Sequence, residues 1–219
     1  MAPLEHIPRR YLFLGLFFAA LQLVVVVRNL STDYFSFFWY CDFAPAIFAA
    51  LFFAKNDNAV KALVNIGLFP QLSYVLAVIL IPMFGITPFN FIINFPFTPS
   101  YVLPTIAIHL SSAVALLATL HIKPNRKTLL YSFFFLVAIY VVVLIFTPPV
   151  TDFSGNYNFI YDFGVLQGFD YYTQAWVLLT FVFVVAPTYF FQHFLYWLHA
   201  RRKVLGLHFR TALDKGFNL

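Results

Sequence analysis

The chain has 219 residues, of which 62% are hydrophobic, 21% aromatic and only 10% charged, and its formal net charge is +5. A soluble domain carries roughly 25% charged residues, so this chain has too few charges to cover a water-exposed surface. These proportions exclude a soluble enzyme and a disordered regulator, and one cysteine, Cys41, excludes a secreted domain held by internal disulfides.

Six apolar stretches are long enough to cross a hydrocarbon core of about 30 Å as helices rising about 1.5 Å per residue. We therefore predict an all-α integral membrane protein, in which residues 1–219 form a single six-helix domain with a basic tail over residues 199–219. The predicted spans are, in chain order, Tyr11–Val27, Tyr34–Ala54, Val60–Phe84, Tyr101–His121, Leu129–Thr147 and Tyr172–Leu198.

The first span is flanked by Arg9 and Arg10, as a signal peptide would be. Arg28 and Asn29 follow it where a signal peptide has a small-residue cleavage site, so we predict an uncleaved helix.

Positive charge is distributed unevenly between the two sides of the predicted bundle. With six spans both termini lie on one side, which carries twelve Lys and Arg residues, against one, Arg28, on the other. The positive-inside rule therefore predicts cytoplasmic N- and C-termini. The basic tail then faces anionic lipid, so we expect the bilayer and no nucleic acid as its partner. The twelve residues are Arg9, Arg10, Lys55, Lys61, Lys123, Arg126, Lys127, Arg201, Arg202, Lys203, Arg210 and Lys215.

Two long loops, Gly85–Ser100 and Pro148–Tyr171, are predicted on the outer, non-cytoplasmic side. Loops of this length in a compact domain are usually functional or disordered. Both contain many aromatic residues, so we expect them to fold over the helix ends.

A cysteine and a histidine are predicted at nearly the same depth, in two helices that run inward from the outer side. Cys41 follows Tyr34 by seven residues, about 10 Å along a helix, and His109 follows Tyr101 by eight, about 12 Å. Ionisable groups within a membrane are costly and mark candidate functional sites. A thiol beside an imidazole is the pattern of a nucleophile and its general base. The spacing alone favours a structural interpretation over a catalytic one. In that interpretation Cys41 is a packed apolar side chain and His109 a hydrogen-bonded residue where two helices meet.

Asp42 is adjacent to Cys41 in the sequence but points about 100° away from it around a helix, so the two cannot share a face. The sequence leaves several uses open for this carboxylate. It can orient His109, bind a lipid headgroup through a cation, pair with Arg28, or hydrogen-bond to a neighbouring helix.

Gln71 and Tyr74 are the candidates for supporting roles on the third span. The Gln71 amide suits either an oxyanion donor or a hydrogen bond between helices. We predict no metal and no cofactor, because a bis-histidine haem needs a second ligand at the depth of His109 and a zinc hydrolase needs three ligands together.

Several of these residues belong to a pattern that resembles the YwaF and transmembrane-protein-164 family. It comprises the run Trp39–Ala44 (Trp-Tyr-Cys-Asp-Phe-Ala), Gln71 in the next span, and Phe95-Pro96 ahead of the helix with His109. The loop Gly155–Ile160 (Gly-Asn-Tyr-Asn-Phe-Ile) is similar to that family's Gly-x-Asn-Tyr-x-(aromatic)-Leu motif. The resemblance covers most of the chain.

The resemblance implies a six-helix membrane acyltransferase, related to the androgen-induced-protein hydrolases of lipid esters, that acts on phospholipids or other acyl lipids. It implies that Cys41 is the acyl-accepting nucleophile and His109 its general base, and with it the catalytic interpretation of the pair becomes the preferred one. Asn156 is then a further candidate donor to the oxyanion, and Tyr157 a supporting candidate. Two alternatives stay open: a lipid-ester hydrolase with the same two residues, and a non-catalytic module that binds or transports a small solute.

Overall fold

The computed structural model describes residues 8–30, 37–84, 99–147, 158, 160 and 171–216, with side chains except at positions 81, 82, 99–101 and 203–216. These residues are helical and contain no strand, which confirms the all-α class. The helices are α1 (Arg9–Leu30), α2 (Tyr40–Phe53), α3 (Asp57–Phe84), α4 (Pro99–His109), α5 (Ser111–Ala118), α6 (Arg126–Phe146), α7 (Tyr172–Thr180) and α8 (Ala186–Gly216). A π-helical turn, Phe181–Val185, joins α7 to α8.

Four helical segments of the described chain are long and apolar enough to cross a membrane: Arg9–Leu30, Asp57–Leu80, Arg126–Phe146 and the continuous Tyr172–Arg202. Two shorter apolar helical segments are Tyr40–Phe53 and Val102–Ala118. Helices of this length and composition are those of a membrane protein. The four long segments correspond to the first, third, fifth and sixth predicted spans.

The second predicted span is shorter in the structure. The prediction of a helix over Tyr34–Ala54 is wrong for residues 37–39, because α2 begins only at Tyr40. Trp39 has an extended backbone, with φ −69° and ψ 136°, and its side chain makes no cap on the helix. The resulting helix of 14 residues is about 21 Å long, less than the roughly 30 Å of a hydrocarbon core.

The fourth predicted span, Tyr101–His121, is one apolar helical segment over Val102–Ala118 with a local interruption, and the prediction is wrong at its end, where residues 119–121 form turns. α4 and α5 are separated at Leu110, and α5 ends at Ala118. A side chain from α3 accounts for the break, because Gln71 Oε1 accepts the main-chain N–H of Ser112 at 3.0 Å. In a continuous helix that N–H would bond to the carbonyl four residues earlier, and a side chain that takes its place interrupts the helix.

Contacts between helix ends show that consecutive helical segments run in opposite directions, where α4 with α5 and α7 with α8 each count as one segment. One end of the bundle, here called the Asp57 end, holds the starts of α1 and α3, where the Tyr11 hydroxyl donates to Asp57 at 2.7 Å. Arg10 donates to the carbonyl of Ala118, which brings the end of α5 to the same place. Asn125, directly before α6, donates to the side chain of Asn58 in the first turn of α3 at 2.8 Å, so the start of α6 lies at this end as well.

The opposite end of the bundle, here called the Arg28 end, holds the end of α1 and the starts of α2 and α7. Arg28 pairs with Asp42 in the first turn of α2. Trp176 in α7 donates to the main-chain oxygen of Asn158, whose side chain in turn contacts Tyr40 at the start of α2. The first turn of α2, which carries Cys41, is therefore fixed at this end.

Aromatic rings in the interior pack α1 against α2. Phe18 of α1 lies against Phe48 and Phe52 of α2, with ring centroids 5.0 and 5.4 Å apart, and all three side chains are fully buried. Offset stacking of this kind adds to the free energy gained from apolar burial. This packing sets the position of α2 relative to α1.

A buried polar network ties α3, α6 and α8 together towards the Asp57 end. Gln192 accepts from the Lys61 ammonium at 3.3 Å and donates to Asn65 at 2.7 Å, and Asn65 donates to Ser132 at 3.1 Å. Lys61, counted above among the cations that flank the spans, is instead fully buried between these helices. Buried polar groups require such partners, and these bonds connect helices that are distant in sequence.

Candidate functional site

A buried ion pair lies at the Arg28 end, between α1 and α2. Arg28 Nη2 lies 2.5 Å from Asp42 Oδ1, and the Asn29 amide donates to Asp42 Oδ2 at 3.0 Å. Asn29 also accepts from the Arg28 guanidinium at 2.9 and 3.0 Å, so each of the three side chains bonds to the other two. The Asp42 side chain is 1% exposed and that of Arg28 14% exposed. A carboxylate this deeply buried is tolerated because a cation and an amide satisfy both of its oxygens.

Of the uses that the sequence left open for Asp42, the structure shows pairing with Arg28. Both carboxylate oxygens are occupied by Arg28 and Asn29, and within the described residues no hydrogen bond joins Asp42 to His109. Sequence reasoning missed Asn29. The available signal was an amide directly after Arg28, at the end of an otherwise apolar helix.

Cys41 is the second residue of α2, so it lies in the first turn and not seven residues into a helix as predicted from Tyr34. Its Cα–Cβ direction matches those of Phe48 and Phe52, seven and eleven residues later, so the thiol lies on the inward face of α2. The side chain is half-buried and packs against the hydrophobic core.

Tyr40 fixes the first turn of α2 against α3. Its hydroxyl donates to the carbonyl of Leu63 at 2.6 Å, and its ring lies directly on the backbone of α3 at Gly67. A Cβ atom at Gly67 would overlap that ring, so the absence of a side chain permits the close approach. The residue next to Cys41 is therefore held by main-chain and ring contacts.

His109 is the last residue of α4 and is 7% exposed. Its Nδ1 lies 2.8 Å from the carbonyl oxygen of Thr105, one turn earlier in the same helix. Because a carbonyl can only accept, Nδ1 carries the hydrogen, and Nε2 of the neutral ring is an acceptor. The ring stacks on Tyr74 of α3, with centroids 4.1 Å apart and planes 11° apart. His109 is thus fixed in orientation and tautomer.

Gln71 serves the junction between α4 and α5. Its Oε1 accepts the main-chain N–H of Ser112, and its Nε2 donates to the Ser111 hydroxyl at 3.1 Å. The side chain is buried and points to the helix break below His109. These contacts are those of a hydrogen-bonding group between helices, the second of the two uses that the sequence left open for it.

Cys41 and His109 lie on helices that contact one another, since α4 packs against α1, α2 and α3. No hydrogen bond joins the thiol to the imidazole among the contacts of the described chain. The structure brings both residues to the same group of four helices.

Two of the sequence candidates, Asn156 and Tyr157, lie outside the described residues. The next residue of the same motif, Asn158, is described, and its side chain bonds to the main chain at Phe38 and Tyr40. Within the described ranges no three His, Cys, Asp or Glu side chains lie close enough together to hold a metal ion.

An apolar crevice of about 290 Å³ lies between α2, α3 and α6. Phe38, Phe43, Leu63 and Ile139 are among the side chains that line it. Phe43 lies about 200° around α2 from Cys41, so the crevice is on the opposite face of the helix from the thiol. It extends to the residues directly before α2, where hydrocarbon can approach the first turn from the side of α6.

Comparison with known proteins identifies no relative: no family model, no curated protein and no solved structure matches the chain. The fold itself is that of a helical membrane protein. Its first four helices carry a buried ion pair, a thiol and an imidazole.

Proposed function

We propose that this protein is a membrane-embedded acyltransferase that moves an acyl chain between phospholipids through Cys41 and His109. The observation that supports this most is the state of His109, whose Nδ1–H is donated to Thr105 while Nε2 makes no hydrogen bond within the described residues. A nitrogen in that state can accept the proton of a thiol. Its helix packs against α2, which carries the chain's one cysteine.

In the first step, the Cys41 sulfur attacks the acyl carbonyl of a phospholipid. His109 Nε2 takes the thiol proton as the carbon–sulfur bond forms. The ester carbon–oxygen bond then breaks, and the proton passes from His109 to the departing oxygen. A lysophospholipid leaves, and the acyl chain remains on the enzyme as a thioester.

In the second step, a hydroxyl of a different lysophospholipid gives its proton to His109 Nε2 and attacks the thioester. The carbon–sulfur bond breaks, and the sulfur of Cys41 recovers the proton. Water in place of the lipid hydroxyl would give hydrolysis with the same two residues. An acceptor that arrives by diffusion within the membrane favours transfer.

The mechanism requires the Cys41 sulfur and His109 Nε2 to come within hydrogen-bond reach, directly or through one water. In structures without substrate, catalytic hydrogen bonds are often long and tighten only in the complex. The proposal therefore includes a movement of the first turn of α2 towards α4 when substrate binds.

We further propose that the chain crosses the membrane six times with cytoplasmic termini, which places the Arg28 end on the outer side. The alternating helix directions support this arrangement, as does the excess of Lys and Arg on the terminal side. A reporter fused after Leu219 tests it. Green fluorescent protein should fluoresce and alkaline phosphatase should be inactive there, whereas active phosphatase would contradict the proposed orientation.

The enzymatic proposal predicts a covalent intermediate on Cys41. Protein in lipid nanodiscs that contain a phospholipid with an isotope-labelled acyl chain should gain the mass of one acyl group, and hydroxylamine should release it, because it cleaves thioesters. Cys41→Ala should gain none. Labelled phospholipid formed from added lysophospholipid indicates transfer, and labelled free fatty acid indicates hydrolysis. Full transfer by Cys41→Ala would refute the proposal.

A further inference from the structure

Asn158 bonds to the main chain on both sides of Trp39, directly before the helix that carries Cys41. Its Oδ1 accepts the N–H of Tyr40 at 2.7 Å, and its Nδ2 donates to the carbonyl of Phe38 at 2.6 Å. We call these two bonds the Asn158 clamp. A carboxamide can make both because it offers a donor and an acceptor side by side.

The clamp supplies what the start of α2 lacks. The first N–H groups of a helix have no partner within the helix, and a side chain at the preceding residue usually satisfies one of them. Trp39 occupies that position and makes no such bond. Asn158, more than a hundred residues away in sequence, therefore takes the role of the cap.

Asn158 is itself held from a second direction. Its main-chain oxygen accepts the indole N–H of Trp176 at 3.2 Å. Trp176 is buried in α7 and stacks on Tyr140 of α6, with ring centroids 6.1 Å apart. Asn158 has φ 57°, in the left-handed region that asparagine adopts more readily than most residues. The clamp thus links the start of α2 to α6 and α7.

We propose that Asn158 is a positioning residue that fixes the first turn of α2 and thereby sets the exposure and surroundings of the Cys41 thiol. Cys41 is the second residue of α2, so it moves with that turn. Opening of an uncapped first turn is a local event that leaves the rest of the bundle folded. The catalytic consequence of this role rests on the proposed function, whereas the effect on the thiol does not.

The rate at which a maleimide labels the full-length protein in nanodiscs tests the proposal directly. The chain has one cysteine, so all labelling reports on Cys41. The informative variant is Asn158→Gly, because glycine adopts the positive φ without strain and removes only the clamp. Asn158→Asp is a second variant, since its carboxylate can accept from Tyr40 but cannot donate to Phe38.

The matched control is Asn125→Ala, which removes a different asparagine cap at a cost of typically about 1 kcal/mol. Asn125 accepts from the N–H groups of Lys127 and Thr128 at the start of α6, at the other end of the bundle. This variant loses a comparable cap without touching α2. It separates a general loss of stability from a local effect on the thiol.

We expect Asn158→Gly to raise the labelling rate at least about fivefold, the factor that corresponds to loss of a typical cap. The curve of labelling rate against pH should also move along the pH axis, which a purely structural role would not cause. Asn158→Asp should show an intermediate change, and Asn125→Ala should match the wild type. Wild-type labelling and pH dependence in Asn158→Gly would overturn the inference. Retained acyl transfer in Cys41→Ala would refute the proposed function alone.

Discussion

His109→Asn is expected to lower the rate of acyl transfer by about 10²- to 10⁴-fold, the range that a positioned general base contributes. In this variant the amide nitrogen takes the place of Nδ1 and can still donate to the carbonyl of Thr105, which the native ring contacts at 2.8 Å. The atom removed is the equivalent of Nε2. The loss should therefore come from the missing base and not from a disrupted α4.

The measurement is the transfer of a labelled acyl chain in nanodiscs, with kcat and KM determined separately. A missing base should lower kcat and leave KM near the wild-type value, because His109 is proposed to act on the thiol and not to bind the lipid. A thermal unfolding curve for each variant shows whether the fold is retained.

His193→Asn is the matched control for this variant. His193 lies on α8, where its ring packs edge-on against Tyr189 with centroids 4.6 Å apart. It is outside the group of helices that carries Cys41, so its replacement should leave the transfer rate unchanged. A wild-type rate in His109→Asn would refute the role of His109. Equal losses in both variants would point to a general effect of removing a histidine.

The four long helices were predictable from hydropathy because a continuous apolar run is a local property of the sequence. The predicted span Leu129–Thr147, for example, differs from the observed α6, Arg126–Phe146, by three residues at most. The start of that helix also has a local signal, since Asn125 and Thr128 form a capping box.

The second and fourth helices were mispredicted because distant side chains set their bounds. α2 begins where Asn158 bonds to Tyr40, and α4 ends where Gln71 takes the N–H of Ser112. Both bonds join residues more than 40 positions apart, which hydropathy and local propensity do not detect. The placement of Cys41 seven residues into a helix was wrong for the same reason, since α2 begins at Tyr40.

The candidate site was predictable in part. Polar residues within apolar runs are few, so the sequence singled out Asp42, Gln71, Tyr74 and His109, and the structure places Tyr74 on the ring of His109. It did not reveal which partner each one takes. The position of Asn29 between Arg28 and Asp42 depends on how α1 and α2 meet, and that follows from the three-dimensional packing alone.

Asp42→Ala is expected to lower the free energy of unfolding by about 3–5 kcal/mol, the usual cost of removing one partner of a buried ion pair. The variant removes the carboxylate from a position where the Asp42 side chain is only 1% exposed. The Arg28 guanidinium keeps its hydrogen bond to Asn29 but loses the negative charge of Asp42. The cost arises from the loss of the buried Arg28–Asp42 ion pair. Equilibrium unfolding in mixed detergent micelles at increasing dodecyl sulfate measures it.

Asp57→Ala is the matched control, because it removes a carboxylate at the opposite end of the bundle whose hydrogen bond comes from the hydroxyl of Tyr11. Loss of a hydrogen bond to a charged group of that kind costs about 1.5–3 kcal/mol. A loss in Asp42→Ala no larger than that of the control would contradict the interpretation of Arg28 and Asp42 as a buried pair.

The double variant Arg28→Met, Asp42→Leu separates the charge from the contact. Apolar residues of similar size remove both charges, and such replacements of buried pairs are often neutral or stabilising by about 1–4 kcal/mol. We therefore expect the double variant to unfold near the wild-type midpoint, well above Asp42→Ala. If the double variant instead loses as much free energy of unfolding as Arg28→Met and Asp42→Leu lose together, the two side chains act independently. Wild-type stability combined with reduced acyl transfer would show that the pair is kept for the site and not for the fold.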